Sequence, residues 1–204
     1  MEWTVLTLGR FSRNRYWGED EGKAYRGPLC TSTLIRAPGA NILVDPALPP
    51  GEMEIALDGA TGLSPAQIDL VYITHAHNDH YYGLEVFGDA RWLCAPAETQ
   101  ACKGTLPPEM AAKLEAADEE IAPGVRLIEL PGHTLGLAGL IFESRDGIVA
   151  VIGDAAMTRD FFEDRRGYFN SVDMELSAKS IEKVAKEADL IVPGHGNYFR
   201  VARA

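Results

Sequence analysis

The sequence has little cysteine, a shortage of basic residues and no long apolar run. Its 3 cysteines show no C-x-x-C spacing, which disfavours a disulfide framework and a cysteine-ligated metal site and favours a reducing compartment. Lysine and arginine number 19 against 30 acidic residues, a formal charge of −11. Because such a chain repels polyanions, nucleic acid and anionic membranes are not expected as its main partners.

No apolar stretch reaches the roughly 18 residues of a membrane span, and the first residues lack the basic flank of a signal peptide. Internal repeats, low-complexity segments and Pro/Gly/Ser-rich linkers are absent as well. A chain of 204 residues with 46% hydrophobic and 24% charged residues can bury a core. We therefore expect one domain, 1–204, that works in the cytoplasm.

Strands and helices are expected along the whole chain. Apolar patterns predict strands at 3–8, 29–36, 41–44, 70–73, 125–130, 137–142, 148–152 and 190–192. Helical spacing and capping residues predict helices at 52–60, 81–87, 97–102, 108–117 and 173–188, with a brief one after Ser64-Pro65. The turn Asp146-Gly147 predicts a β-hairpin, so the strands on either side of it should be antiparallel neighbours.

The segment 10–28, between the first two predicted strands, is expected to be a long loop. Its unusual content combines cationic and aromatic side chains: Arg13, Arg15, Lys23, Arg26, Phe11, Tyr16, Trp17 and Tyr25. Loops of this length are commonly functional or disordered. Two roles stay open from the sequence, a lid over a substrate or a contact across a homodimer.

All 5 histidines lie just after predicted strands. After the strand 70–73 the pattern H-x-H-x-D-H places four potential metal ligands close together: His75, His77, Asp79 and His80. Alternate residues of an extended segment point to opposite sides, so the chain must bend after Ile73 for His75 and His77 to face one ion. The other two can then face a second ion nearby.

The remaining candidate ligands follow later strands. His133 and His195 lie in Pro-Gly-His turns, and Asp154 follows the strand 148–152. The predicted hairpin returns that strand toward the end where His133 lies. All seven side chains are therefore expected at one rim of a sheet structure, where they suit two metal ions. The plainer alternative, separate core or surface histidines, does not account for this shared position.

These residues resemble the signature of the metallo-β-lactamase superfamily, in which H-x-H-x-D-H is followed by separate His, Asp and His ligands in that order. The resemblance extends from 42–45 to His195. It implies an α/β (α+β) fold, a four-layer αββα sandwich with a dinuclear site at one edge. It also implies how the ligands divide: His75, His77 and His133 on the first metal, Asp79, His80 and His195 on the second, and Asp154 bridging.

The resemblance implies a metallo-hydrolase with a small-molecule substrate. Two divalent metals would share a hydroxide, formed because bound water has its pKa lowered to about 7, and this would attack an ester, lactone or thioester. Asp79 is the candidate catalytic residue, since it could orient the hydroxide and pass a proton. The imidazole-rich ligands favour Zn²⁺, and iron or manganese would also suit them. Asp45 is either an acceptor for a ligand imidazole or a turn residue before Pro46.

Departures from subfamily patterns narrow the substrate. The commonest zinc β-lactamases have a cysteine ligand where this chain offers Asp154, which disfavours antibiotic hydrolysis. Glyoxalase II-like thioesterases usually carry G-H-T-x-G-H, whereas 132–137 lacks the second histidine. The segment 154–158 resembles that of quorum-quenching lactonases, but Met157 stands where they use a tyrosine.

Other functions stay open. The segment 189–201 resembles small superfamily members related to a histone pre-mRNA nuclease, so a phosphodiesterase or nuclease is the main alternative. Candidate phosphate contacts are the cations of the long loop together with Arg165 and Arg166, although solvated surface is the plainer interpretation. A mononuclear iron sulfur dioxygenase and a metal-stabilised binding domain are further alternatives.

Overall fold

The computed structural model describes residues 1–202, which form two six-stranded sheets. The first sheet has the spatial order β1 (Glu2–Thr7), β2 (Ser32–Ala37), β3 (Ala40–Val44), β4 (Leu70–Ile73), β5 (Arg91–Cys94) and β6 (Leu114–Ala116). Strands β1 to β3 are antiparallel, whereas β3 to β6 run parallel. The parallel part ends its strands at one edge, which is where ligand-binding turns usually lie in such sheets.

The second sheet follows in the chain. Its strands also lie in sequence order: β7 (Glu120–Ala122), β8 (Val125–Glu129), β9 (Ala138–Ser144), β10 (Gly147–Val151), β11 (Leu190–Val192) and β12 (Phe199–Arg200). Neighbours are antiparallel except β10 and β11, which are parallel. Ser144 pairs with Gly147 across the β9–β10 turn, so the predicted hairpin is confirmed.

Five α-helices surround the sheets: α1 (Pro50–Thr61), α2 (Thr99–Thr105), α3 (Pro108–Ala111), α4 (Arg159–Glu163) and α5 (Met174–Glu187) in residues 1–202. Helix α5 begins where the Asp173 carboxylate accepts a hydrogen bond from the Leu176 amide at 2.9 Å, a side-chain cap that satisfies one free amide of the first turn. Across the chain up to residue 202, the helices are all too short or too polar to cross a membrane.

Three apolar clusters hold these elements in four layers. Tyr72 of β4 and Val151 of β10 belong to the cluster between the two sheets. Leu57 of α1 packs in the cluster on the outer face of the first sheet, and Val184 of α5 packs in the cluster on the outer face of the second. Each sheet is thus buried on both faces, and the predicted αββα sandwich is confirmed.

Two helix predictions are wrong in part. The helix expected over 108–117 ends at Ala111, and Leu114–Ala116 forms β6 instead. Leu114 pairs with Trp92 of β5 and is buried, so sheet pairing overrides the helical propensity of the surrounding Ala, Glu and Lys residues. The helix expected over 81–87 is a short 3₁₀ helix, Leu84–Phe87. Strands β5, β7 and β12 and helix α4 were not predicted.

The long loop 10–28 folds back onto the second sheet's outer layer. Phe11 is buried and packs edge-on against the rings of Phe161 and Tyr168. Asn14 is fully buried, and its side chain accepts a hydrogen bond from the Tyr16 amide at 2.9 Å. Phe11 and Asn14 therefore anchor this segment beside the edge where β10 and β11 end, whereas the noted aromatic residues Trp17 and Tyr25 are exposed.

Candidate metal centre

The seven predicted ligands lie together at one edge of the sandwich. They come from turns that follow four strands: His75, His77, Asp79 and His80 after β4, His133 after β8, Asp154 after β10 and His195 after β11. All are buried except His77, which is partly buried. Their ligand atoms form two groups, each within 4.8 Å, that could hold a metal ion. The structure thus brings together every side chain that the sequence placed at this rim.

The first group contains three imidazoles and one carboxylate oxygen. Nδ1 of His77 lies 2.9 Å from Nε2 of His75 and 3.0 Å from Nε2 of His133. Oδ2 of Asp154 lies 3.3 Å from Nε2 of His133. Ligand atoms of a tetrahedral zinc ion, bound at about 2.0–2.1 Å, are separated by about 3.3 Å. The four atoms are therefore spaced as the ligands of one ion would be.

The second group, Asp79, His80 and His195, lies beside the other oxygen of the same carboxylate. Oδ1 of Asp154 lies 3.3 Å from Nε2 of His80 and 3.2 Å from Nε2 of His195. Oδ2 of Asp79 lies 3.6 Å from Nε2 of His195. Each oxygen of Asp154 thus faces a different group, an arrangement that suits a carboxylate bridging through both oxygens.

Glycine permits this crowding around Asp154. A Cβ atom on Gly194 would lie 2.0 Å from Oδ1 of Asp154, and one on Gly153 would lie 2.5 Å from Oγ1 of Thr74. Gly153 also has φ +49°, in the left-handed region that side chains disfavour. These two glycines let the turns after β10 and β11 approach each other and the β4 turn.

Hydrogen bonds on the far side of the rings determine which nitrogen faces the site. Nδ1 of His80 donates to Oδ2 of Asp45 at 2.8 Å, and Nδ1 of His195 donates to the carbonyl of Leu29 at 2.8 Å. In the neutral rings Nε2 therefore carries a lone pair, directed at the Asp154 carboxylate. Two acceptors at this distance repel each other unless a proton or a metal cation lies between them.

Unpaired buried atoms support the same conclusion. Within residues 1–202, Nε2 of His80 and Oδ1 of Asp154 are both buried without a hydrogen-bond partner. Buried polar atoms are nearly always paired, and an exception calls for an explanation such as an ion. A divalent cation accounts for both atoms, so the residues present fit a metal.

The pKa values of two ligands favour neutral rings, which are the metal-binding form. Burial lowers the pKa of His133 to about 4 and lowers that of His75 well below its usual range. Burial would raise the pKa of Asp154, but the imidazoles of His195 and His80 hold it well below its usual range. In the first group, neutral imidazoles thus face an ionised carboxylate. In the second group burial opposes protonation, but nearby anionic groups raise the pKa values of His80 and His195 above the ordinary value.

The buried charged side chains around this edge are all acidic. Four carboxylates are buried in residues 1–202, namely Asp45, Asp79, Glu98 and Asp154, whereas no Lys or Arg belongs to the buried residues there. Buried charges are normally paired or bound to metals. Four formal negative charges would be balanced by two divalent cations, which is the number that the two ligand groups suggest.

A cavity of about 240 Å³ opens onto both groups. Its walls combine candidate ligands with residues of two loops: His77, Asp79, Asp154, His195, Asn78, Phe11, Ser12, Pro28, Met157, Tyr168, Phe169 and Asn170. The long loop therefore forms one wall. A larger cavity, about 630 Å³, lies beside Leu135 and Lys183 and contains none of the predicted ligands.

Sequence reasoning missed two residues at this edge, Glu98 and Tyr168. Tyr168 is buried, lines the cavity and donates a hydrogen bond to the Arg13 carbonyl at 3.0 Å. Glu98 follows β5, a strand that was not predicted. A carboxylate just after a strand of the parallel part is the signal that could have identified Glu98.

Two adjoining groups of potential metal ligands at the edge of an αββα sandwich are the arrangement expected of the metallo-hydrolase class that the sequence resembles. A model of the metallo-beta-lactamase superfamily matches residues 25–195, and the chain belongs to this superfamily.

Relatives in this superfamily include hydrolases of named activity. The chain is 33% identical over 141 residues to the N-acyl homoserine lactonase of Bacillus cereus, a match covering 62% of this chain and 56% of that protein. It is 30% identical over 175 residues to metallo-beta-lactamase domain-containing protein 1 of Homo sapiens, covering 84% of this chain and 64% of that protein. The matched region thus spans less than two thirds of either relative. Of these two relatives, the lactonase is a hydrolase by name.

Solved structures show the same fold. A crystal structure of a quorum-quenching N-acyl homoserine lactone lactonase matches with TM-score 0.74 and 24% identity, covering 95% of this chain and 91% of that chain. The dizinc quorum-quenching lactonase AidC, in complex with its product, matches with TM-score 0.68 and 16% identity, covering 86% and 80%. At these identities the likeness concerns the fold.

Proposed function

We propose that this chain is a hydrolase with two divalent metal ions that cleaves an ester, lactone or thioester bond of a small molecule. The observation that carries the proposal is the Asp154 carboxylate, whose two oxygens face two separate groups of imidazole and carboxylate atoms. Relatives named as lactonases support the acyl substrate class, and the dizinc lactonase of the same fold supports two zinc ions.

In this proposal the ligands divide as the two groups do. His75, His77 and His133 would hold the first ion, Asp79, His80 and His195 would hold the second, and Asp154 would contact both. Zinc is favoured because five of the seven ligands are imidazoles, and because the first group's spacing suits tetrahedral coordination. Iron and manganese are the metals that a direct metal analysis has to distinguish from zinc.

Bound divalent cations at this position supply Lewis-acid stabilisation of an oxyanion and lower the pKa of a water molecule. The chain's own residues do the rest. Asp79 lines the cavity, and its carboxylate is the group placed to accept a proton there. The rings of Phe11, Tyr168 and Phe169 restrict water and orient the substrate within the cavity.

Cavity size favours a compact substrate. Ligand pockets commonly measure about 300–1,000 Å³, whereas this cavity has about 240 Å³. The cations proposed for phosphate binding are partly engaged elsewhere, because Arg26 pairs with Glu19 and Arg165 pairs with Glu182. These pairs favour an acyl substrate over a phosphodiester.

The test is metal analysis of the purified protein followed by a substrate panel. We expect two zinc ions per chain and turnover of a lactone, ester or thioester, lost on treatment with a chelator and restored by zinc. The panel also includes a phosphodiester and a β-lactam of similar size. Turnover of the phosphodiester alone would replace the acyl hydrolase with the nuclease alternative, and one iron ion with oxygen consumption would indicate a dioxygenase.

A further inference from the structure

Within residues 1–202, two buried carboxylates, Asp45 and Glu98, belong to neither of the two ligand groups, and Asp45 is already paired with His80. Glu98 is 2% exposed, and it lies in the turn between β5 and α2. Burying a carboxylate is costly unless its oxygens are paired. The contacts that pair them therefore indicate what this residue does.

Both oxygens of Glu98 accept hydrogen bonds from residues adjacent to candidate ligands. Oε1 accepts from the amide of Ala76 at 3.0 Å, and Oε2 accepts from the hydroxyl of Thr134 at 3.0 Å. Ala76 lies between His75 and His77 in the chain, and Thr134 directly follows His133. One carboxylate thus contacts the immediate neighbours of all three imidazoles in the first group.

The two contacted turns belong to different sheets. Ala76 follows β4 in the first sheet, whereas Thr134 lies between β8 and β9 in the second. No continuous strand pairing sets the distance between these turns, so a side chain that joins them contributes directly to the spacing of the three imidazoles. Glu98 is such a side chain.

The backbone of Glu98 and the chain at Gly136 restrict the position of the carboxylate. The Glu98 amide donates to the Ala95 carbonyl at 3.0 Å, and its carbonyl accepts from the Cys102 amide at 2.9 Å in the first turn of α2. A Cβ atom on Gly136 would lie 2.5 Å from Oε2 of Glu98, so the backbone there packs directly against the carboxylate. The side chain therefore has little freedom to leave the two turns.

We propose that Glu98 is a positioning residue for the first metal ion, holding the β4 turn and the His133 turn at the separation that one cation requires. Its negative charge also favours a cation nearby. Asp45 serves the second group in a comparable way, through its hydrogen bond to His80. The inference rests on the proposed dinuclear function.

Outer-shell partners of metal ligands typically change metal affinity by about 10- to 100-fold when removed. In Glu98→Ala we therefore expect one of the two zinc ions to bind about 10- to 100-fold more weakly, with the second ion little affected. Glu98→Gln keeps an acceptor for the Ala76 amide and loses the charge, so its effect should be smaller. Thr134→Val removes one of the two contacts and should also weaken the same ion.

The experiment is a zinc titration of the full chain by calorimetry, with unfolding in urea measured on the same samples. Cys102→Ala is the matched control, because Cys102 is buried in α2, the helix that follows Glu98. Within residues 1–202 its side chain forms no hydrogen bond with either turn. This control should lose stability and still bind two zinc ions with the affinities of the unaltered chain.

Two zinc affinities in Glu98→Ala that equal those of Cys102→Ala would overturn the inference, since Glu98 would then be structural only. If Glu98→Ala does not fold, the zinc affinities of Glu98→Gln and Thr134→Val test the inference instead. Unchanged affinities in both of these variants would overturn the inference. An unaltered chain that binds no zinc, iron or manganese would instead refute the proposed function.

Discussion

Oδ1 of Asp154 lies 3.3 Å from Nε2 of His80, and in residues 1–202 neither buried atom has a hydrogen-bond partner. The far nitrogen of His80 already donates to Asp45. Two lone pairs at this distance repel unless a proton or a metal cation lies between them. Because the same carboxylate faces His133 through its other oxygen, one side chain links both halves of the proposed centre.

Replacing Asp154 should therefore affect both ions. Asp154→Ala removes the only carboxylate shared by the two groups, and we expect a folded protein with little bound zinc and little turnover. His77→Ala removes a ligand from the first group alone, so it should lose mainly one ion. Metal content by mass spectrometry, with circular dichroism to verify folding, separates these two results.

The control for this pair is Asp58→Ala, since Asp58 is an exposed carboxylate on α1. It should retain both ions and full turnover. Two tightly bound ions in folded Asp154→Ala would contradict a bridging role for Asp154.

Asp45→Asn should weaken the second ion selectively. Asp45 accepts hydrogen bonds from Nδ1 of His80 and from the Thr74 amide, each at 2.8 Å, and its backbone has φ +51°, a conformation that asparagine tolerates. The fold should therefore survive, while the loss of charge lowers affinity for one ion by about 10- to 100-fold. Calorimetric titration with zinc measures this, and equal weakening of both ions would speak against the assignment of His80 to one group.

Acidification should release the second ion before the first. Burial opposes protonation of His195, but the carboxylates of Asp154 and Asp79 raise its pKa above the ordinary value. Burial lowers the pKa of His133 to about 4. As the pH falls, protons therefore compete for His195 earlier than for His133, and zinc affinity at the second group declines first.

Zinc titrations at several pH values between neutrality and about pH 5 measure this order. We expect one binding step to weaken more steeply toward the acid end than the other. Parallel weakening of both steps would contradict the difference between His195 and His133.

Tyr168→Phe should loosen the loop over the cavity. The Tyr168 hydroxyl donates to the Arg13 carbonyl at 3.0 Å and lies 3.2 Å from the Ser12 hydroxyl. Losing these bonds should lower the free energy of unfolding by about 1 kcal/mol and speed proteolysis within 10–28. Urea unfolding and timed digestion measure both effects, with Tyr198→Phe, at an exposed tyrosine, as the control that should change neither.

Much of the fold followed from local patterns. The buried strand 70–73 and the last buried strand 190–192 match β4 and β11, because short apolar runs with flanking turn residues specify buried strands. Helix α5 was also predicted, from helical spacing and the capping residue Asp173. The strand that contains Leu114, β6, was not predicted, since it forms by pairing with β5, which is distant in the chain.

Some residues of the candidate site could likewise be predicted from local patterns, and others could not. Residue types and strand-end turns were sufficient to select all the ligand candidates, including His133 and His195. Glu98 was not predicted from the sequence, because its importance depends on contacts with Ala76 and Thr134 in turns of two different sheets. Tyr168 was not predicted either, since only the packed structure shows that it lines the cavity.

The sequence by itself determined the chemistry of the rim: the strands that precede the candidate ligands, and that imidazoles and carboxylates follow those strands. Such information is local, because hydrophobic periodicity and turn residues act over a few positions. Only the tertiary structure decided that the two oxygens of Asp154 face different groups and that Glu98 joins turns of the two sheets. It also decided that the loop 10–28 forms one wall of the cavity. Those relations arise when distant segments pack together, and the free energy of that packing depends on contacts that no local pattern contains.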